Sequence, residues 1–382
     1  MKDNKKRLSW PQLVAVVLVL AMVLIPVIGA VMAITSVNAQ EMVAEEFSLE
    51  RAKEFARENN YDIALSDLKH ESSELGFKMA YEMERDLEKM YHATKSSKEA
   101  YQTYQARQGY ITQKAEKGEK ALLLTNKITE LGTDLAIESA YYAVVEKEDI
   151  YNIKKKSYKN IEKQVNRSKI KYELGQISEL DYLQVELKLD QAKMTLESSM
   201  ADYKKAVMDF NKQMGLTLST EIALVDRVEM FEYKLPTYEE MLNKFTGNSV
   251  TYVMSKDNVE LLTREVNLAR AFYGNREPEH KDAINKLEQE KINYNLEVIA
   301  LEKKTRETVL DYNTLVSGLK VADKARGLYK KVAEVMAVKY ETGLATDLEV
   351  VEAELDYQNA EVDYISALHK YKLFTEQVEK GL

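Results

Sequence analysis

The sequence predicts an all-α fold built from two tandem repeats of long antiparallel coiled-coil helices. Three observations predict it. Gly occurs 13 times and Pro 4 times in 382 residues, so turns must be rare. Charged residues make up 31% and hydrophobic residues 45%, a mixture suited to long amphipathic helices. Finally, one stretch is nearly repeated 168 residues later: "IKYELGQISELDYLQVELKLDQAKMTL" from Ile170 returns as "VKYETGLATDLEVVEAELDYQNAEVDY" from Val338. Self-similarity of this kind marks a duplicated unit.

The elements follow in order. The segment 1–39 carries Lys2, Lys5, Lys6 and Arg7, an apolar run from Pro11 to Ile34, and then Val37 and Ala39 at the −3 and −1 positions of a cleavage site. It reads as a signal peptide or as a retained N-terminal membrane anchor. The run is long enough to span a bilayer at ~20 residues per crossing. Pro26 and Gly29 near its end favour cleavage. In either case the basic flank stays inside and the rest lies outside the cytoplasm.

The first repeat is assigned to 40–215. It opens at Phe47 with Ser48 as N-cap and continues as a long helix to Gln108. Gly109 and Gly118 bracket a polar turn. A second long helix is expected from Glu119 to Tyr172 and a third from Ser178 to Met214. Residues 216–237, with Pro236, lose the helical period and read as an extended linker. The second repeat, 238–382, restarts at "LPTYEEML", reaches a turn at "GNREPEH", and ends with the Gly343 corner and a last helix. From Phe55 to Gly175 the first repeat is 22 residues longer than its equivalent in the second, an excess expected in both limbs of its hairpin. The helix before Gly343, at ~1.5 Å per residue, is ~90 Å long.

The last helix carries two heptad seams. Leu348, Val351, Leu355, Val362 and Ile365 form one, around polar Gln358. Ala353, Tyr357, Ala360, Tyr364, Ala367, Tyr371 and Phe374 form the other, on the nearly opposite face. The third helix repeats the pattern, with Leu180, Leu183, Leu187 and Met194 on one side and Val185, Leu189, Ala192, Leu196, Ser199, Tyr203, Ala206 and Phe210 on the other. A helix with two seams needs a neighbour on each side. A closed helical barrel and an ordinary antiparallel bundle both satisfy that need, and a seven-residue repeat gives left-handed supercoiling in either.

Both duplicated stretches share Lys-Tyr-Glu-x-Gly followed by Ser or Thr and two acidic residues. Gly175 and Gly343 are suited to left-handed helix termini, and Ser178 and Thr346 to the N-caps of the helices that follow. Glu179, Asp181, Asp347 and Glu349 place negative charge on the positive end of each new helix. The motif is therefore a helix–turn–helix corner. It serves either as a structural turn alone or as a docking tip in an assembly that gathers equivalent turns at one mouth.

Other chemistry is excluded by composition. The net charge of −9 argues against nucleic acid, and the chain has no Cys for a thiolate site. Its four His (His70, His92, His280 and His369) lack i, i+4 spacing for zinc. No phosphate loop or nucleophile elbow is present. The expectation is a non-enzyme without cofactors or metal.

With these motifs in order, the chain resembles the TolC-like outer-membrane efflux protein family, the outer membrane factors. The resemblance rests on "FSLERAKEFARENNYDI", the corners "KYELGQISELDYLQVE" and "KYETGLATDLEVVEAE", the close "DYKKAVMDFNKQMGL" and the restart "LPTYEEML", and it spans nearly the whole mature chain. It implies a homotrimer whose subunits each give two half-repeats to an α-helical barrel, docked by its tip to a periplasmic adaptor (membrane fusion) protein and through it to an inner-membrane pump. The implied docking residues are Tyr172, Gly175, Ser178, Asp181, Tyr340, Gly343, Thr346, Glu349 and Glu352. One departure stands out. The family places a strand hairpin between the long helices of each half, and a membrane strand needs ~9–11 alternating residues. The slots here, "QARQGYITQKAEKGEK" and "FYGNREPEHKD", lack alternation and length. Little or no β-barrel is expected. A coiled-coil scaffold of the cell envelope without transport is the alternative reading.

Overall fold

The computed structural model describes residues 45–90 and 97–382. The signal or anchor segment lies outside them. Among the described residues no helix is long and apolar enough to cross a membrane.

Strand β1 (Glu45–Phe47) leads into α1 (Leu49–Asn59), capped by the Ser48 hydroxyl. Helices α2 (Tyr61–Met90), α3 (Ser97–Arg107), α4 (Tyr110–Glu173) and α5 (Glu179–Gln213) follow. The linker contains strand β2 (Ile222–Leu224), which pairs with β1. Then come α6 (Tyr238–Asn248), α7 (Val250–Tyr273), α8 (Pro278–Glu341) and α9 (Asp347–Lys380). Residues Glu46–Leu382 cluster as one unit.

Several boundaries differ from the sequence expectation. Phe47, where a helix is expected to open, ends strand β1, because the linker supplies a pairing partner that local pattern cannot reveal. Gly118 is no turn. It sits inside α4, which begins at Tyr110 and not at Glu119. Gly109 is the real interruption, at φ 67°, and it divides α3 from α4. Pro278 lies not in the turn but at the first position of α8, where its missing N–H costs nothing. Residues 105–120 and 272–282, the slots between the long helices of each half, contain no strand. Among the described residues β1 and β2 are the only strands.

Both limbs of the first hairpin are longer, though unequally. Helix α2 has 30 residues against 24 in α7, and α3 adds 11 residues with no counterpart, whereas α4 and α8 both have 64. Helices α3 and α4 lie in sequence along α7. Tyr101 and Tyr104 meet Phe272, the Arg264 guanidinium donates to the Gln108 carbonyl, and Tyr110 Oη donates to Glu265 at 2.7 Å. Lys117 then reaches Asp257 at 2.6 Å and Glu260 at 2.7 Å. The break at Gly109 leaves α4 with an N-cap that has no side chain. Glu84 on α2 supplies one, accepting from the Ile111 and Thr112 amides at 3.2 and 3.1 Å.

The seams sort the long helices. Helix α5 packs on α4, α4 on α9, and α9 on α8. The Val185–Phe210 seam of α5 faces α4, with Val185, Ala192 and Phe210 buried. Helix α9 is covered on both sides. Val351 meets Ile161 and Val165 of α4, while Tyr364, Leu368 and Tyr371 meet Leu319 of α8.

The principal core joins β1, α1, α4, α5 and β2 around Phe47, Tyr141 and Phe210. Here the abundant Tyr has a purpose. Tyr141 Oη donates to Phe47 O at 2.9 Å and accepts from Asp226 N at 3.0 Å, and Tyr371 Oη accepts from Tyr233 N at 3.1 Å. A linker without helical partners for its backbone is satisfied by hydroxyls projecting from α4 and α9.

Candidate functional site: the paired tip corners

The first corner closes α4. Leu174 is the C-cap and Gly175 takes φ 69°. Gly175 N donates to Tyr172 O at 2.8 Å and Gln176 N to Lys171 O at 2.8 Å. These are the two hydrogen bonds of a Schellman motif, which only a left-handed residue allows without strain. The second corner repeats it. Gly343, at φ 77°, donates to Tyr340 O at 3.0 Å, and Leu344 N to Lys339 O at 2.7 Å.

Each following helix starts with a capping box. Ser178 Oγ accepts from Asp181 N at 3.2 Å, while Asp181 Oδ2 accepts from Ser178 N at 3.2 Å and Ser178 Oγ at 2.8 Å. Thr346 and Glu349 make the same exchange, at 3.2, 2.8 and 2.9 Å. The Thr346 backbone N–H and hydroxyl hold the Glu349 carboxyl below the usual carboxylate range. Asp181 and Glu349 are thus engaged in local caps while their side chains remain at the surface.

The corners are not equivalent. Asp347 is buried, 5% exposed, and accepts from three donors. Lys171 Nζ approaches its Oδ2 at 2.8 Å, and Tyr340 Oη donates to Oδ1 at 2.6 Å, where Gln164 Nε2 also donates. Lys171 Nζ also lies 4.4 Å from the centre of the Tyr340 ring. Burial by itself would lower the Lys171 pKa. The hydrogen bonds to Asp347 and Tyr340 outweigh it and hold the amine above its ordinary value. One carboxylate of the second corner therefore joins it to the end of α4, and through α4 to the first corner. Glu179, at the matching position in the first corner, is exposed.

The remaining expected residues fall at the same end. Tyr172 stacks on Tyr182 with centroids 5.5 Å apart and planes 8° from parallel. Glu352 pairs with Lys188 of α5 at 3.1 Å. Leu174 and Leu344, in the two turns, are 67% and 77% exposed. Sequence reasoning placed Asp347 only as a favourable first-turn charge and did not single out Lys171 or Gln164. The shared Lys-Tyr before each corner was the available signal. Nothing local distinguishes Asp347 from Glu179, because the difference lies in which helix stands opposite.

No protein-family model matches the sequence, and no curated protein does. Solved structures do match in fold. The outer membrane channel CmeC of Campylobacter jejuni superposes with a TM-score of 0.69 at 12% identity, covering 87% of this chain and 85% of that one. The outer membrane protein VceC of Vibrio cholerae gives 0.65 at 11% identity over 87% and 94%. The open state of the Neisseria gonorrhoeae MtrE outer membrane channel gives 0.61 at 13% identity over 87% and 88%. The chain has the fold of TolC-like outer-membrane channels, with scarcely any strand among its described residues.

Proposed function

We propose that this chain is the exported helical duct subunit of an efflux or export system, assembled as a homotrimer and docked at its tip to a periplasmic-type adaptor and an inner-membrane pump. The observation that carries the reading is the pair of corners. Two Schellman turns, each with a capping box and an exposed Leu, lie at one end of helices that a single chain leaves open on two edges. Fold similarity to outer membrane channels supports the same reading. Tyr172, Gly175, Ser178, Asp181, Tyr340, Gly343, Thr346, Glu349 and Glu352 form the docking tip in this proposal, with Leu174 and Leu344 as its apolar contacts. The chain sits in the cell envelope, with cleavage after Ala39. The envelope-scaffold reading is favoured by one observation, the absence of strands in 105–120 and 272–282.

Two measurements separate the readings. The mass of the purified full chain by light scattering, with and without an adaptor hairpin, tests the duct. A strict monomer that ignores the hairpin overturns it. Deletion of the gene should reduce export of a pump substrate. Unchanged export with a deformed envelope would favour the scaffold.

A further inference from the structure

The half of α4 nearer its Gly175 corner carries a charge pattern that the fold does not use. Lys155, Lys159, Lys163 and Arg167 stand four residues apart, with Lys156 beside them. All five are exposed, and none forms an ion pair among the described residues. Lys155 lies 5.6 Å from the centre of the Tyr151 ring. The carboxylates beside them are already engaged. Glu162 accepts from Tyr158 Oη at 3.5 Å, and Glu354 of α9 accepts from Asn160 Nδ2 at 3.1 Å and Gln358 Nε2 at 2.8 Å. Like charges at i, i+4 weaken a helix, so the run is a cost unless an outside group offsets it. The duplication shows that the helix does not need it. Helices α4 and α8 both have 64 residues and align end to end at an offset of 168. At the positions of Lys155, Lys159, Lys163 and Arg167, α8 has Asp323, Gly327, Lys331 and Val335.

The stripe faces away from the neighbours of α4. At about 100° per residue the five cations span about 120° of the helix, and the buried Ser157, Ile161, Val165 and Ser168 lie on the opposite side. There Ile161 and Val165 meet Val185 of α5 and Val351 of α9. The edges that a single chain leaves open belong to α5 and α8, not to α4. Closing those edges therefore leaves the stripe uncovered. Its spacing points to a polymer. Four residues of helix rise ~6 Å, so the run presents a positive group every ~6 Å over ~18 Å. A single phosphate would meet one or two of them. A linear chain with one phosphodiester per three-carbon unit matches the whole repeat. Lys, a mobile point charge, suits such a chain, whereas Arg offers a planar fork, and Arg167 is the one Arg among the five.

We propose that this face of α4 binds a linear polyanion of the cell envelope, of the poly(glycerol phosphate) type, and so tethers the protein beside it. The source of the polymer rests on the envelope reading above. The site itself depends neither on the duct nor on trimer formation.

Fluorescein-labelled poly(glycerol phosphate) is titrated with the purified full-length chain and followed by anisotropy. The parent should bind, and raising salt from about 50 to about 200 mM should weaken binding about tenfold or more. The triple variant Lys155→Gln, Lys159→Gln, Lys163→Gln should weaken it about tenfold or more at the lower salt. Lys324→Gln with Lys331→Gln, at matching positions of α8, should leave it within about twofold. Inorganic phosphate at equal phosphate concentration should not compete. Circular dichroism supplies a second readout. The triple variant should keep its helicity and melt no lower than the parent, since repulsion along α4 is relieved. A lower melting temperature would make these lysines structural and overturn the proposal. So would a parent that does not bind, equal weakening in the α4 and α8 variants, or competition by inorganic phosphate. An acidic helical peptide that binds the parent more tightly than the polymer does, and loses affinity in the triple variant, overturns the occupant in favour of a protein partner. Light scattering on the same samples reads the oligomeric state separately, so a monomer that binds the polymer removes the duct reading and leaves this site standing.

Discussion

Lys171 at the foot of α4 and Asp347 at the head of α9 meet at 2.8 Å, 176 residues apart in sequence. Their contact ties the end of one repeat to the corner of the other. The carboxylate is buried and has three donors, so its removal cannot be made good by water.

Asp347→Ala should therefore lower stability by roughly 1–3 kcal/mol, the usual loss when buried donors such as Gln164 are left without their acceptor, because Lys171 is partly exposed and its charge can return to water. Asp347→Asn, which keeps the shape and can still bond Tyr340, should lose less. Urea denaturation followed by circular dichroism at neutral pH measures both. Equal stability of Asp347→Ala and the parent would contradict the buried network.

The same pair predicts an alkaline effect. Lys171 has a raised pKa in the folded chain, above its ordinary 10.5. Its contribution is complete below that value and is lost as pH rises through the folded pKa. The stability difference between the parent and Lys171→Met should be constant from pH 7 to 9 and shrink above about 10.5. A difference that persists undiminished at pH 12 would show that packing, not charge, carries the contact.

Gly175→Ala and Gly215→Ala separate backbone strain from crowding. The two glycines have nearly the same dihedral, φ 69° and 71°. A Cβ at Gly175 meets nothing within 4 Å, whereas one at Gly215 would lie 2.6 Å from the Asn59 carbonyl oxygen. The first substitution should cost about 1–2 kcal/mol, the left-handed penalty alone. The second should cost more, since α1 must move. Comparable losses would mean that the Asn59 backbone yields easily.

Glu84→Ala removes the cap of α4 without touching α4 itself. A lost cap costs about 1–2 kcal/mol. The loss should appear as faster amide hydrogen exchange at Ile111 and Thr112, by about tenfold, while the Schellman amides of Gly175 and Gln176 keep their rates. Unchanged exchange at the start of α4 would rule out the borrowed cap.

What the sequence determined by itself was whatever depends on neighbours along the chain. Heptad spacing placed the long helices, and Gly175, Gly343, Ser178 and Thr346 placed the corners, because caps and left-handed turns close within five or six residues. The lack of alternating apolar strands at 105–120 was legible for the same reason. Tertiary structure alone decided the rest. Gly109 breaks the first hairpin and Gly118 does not, because Glu84 and Arg264 stand beside Gly109 to take up the freed backbone groups. Strand β1 exists because the linker lies against it. Asp347 and Glu179 occupy the same position in the same motif, yet one is a buried clamp and the other is exposed. Burial of a carboxylate is set by the helix opposite it, and that helix belongs to a distant part of the chain.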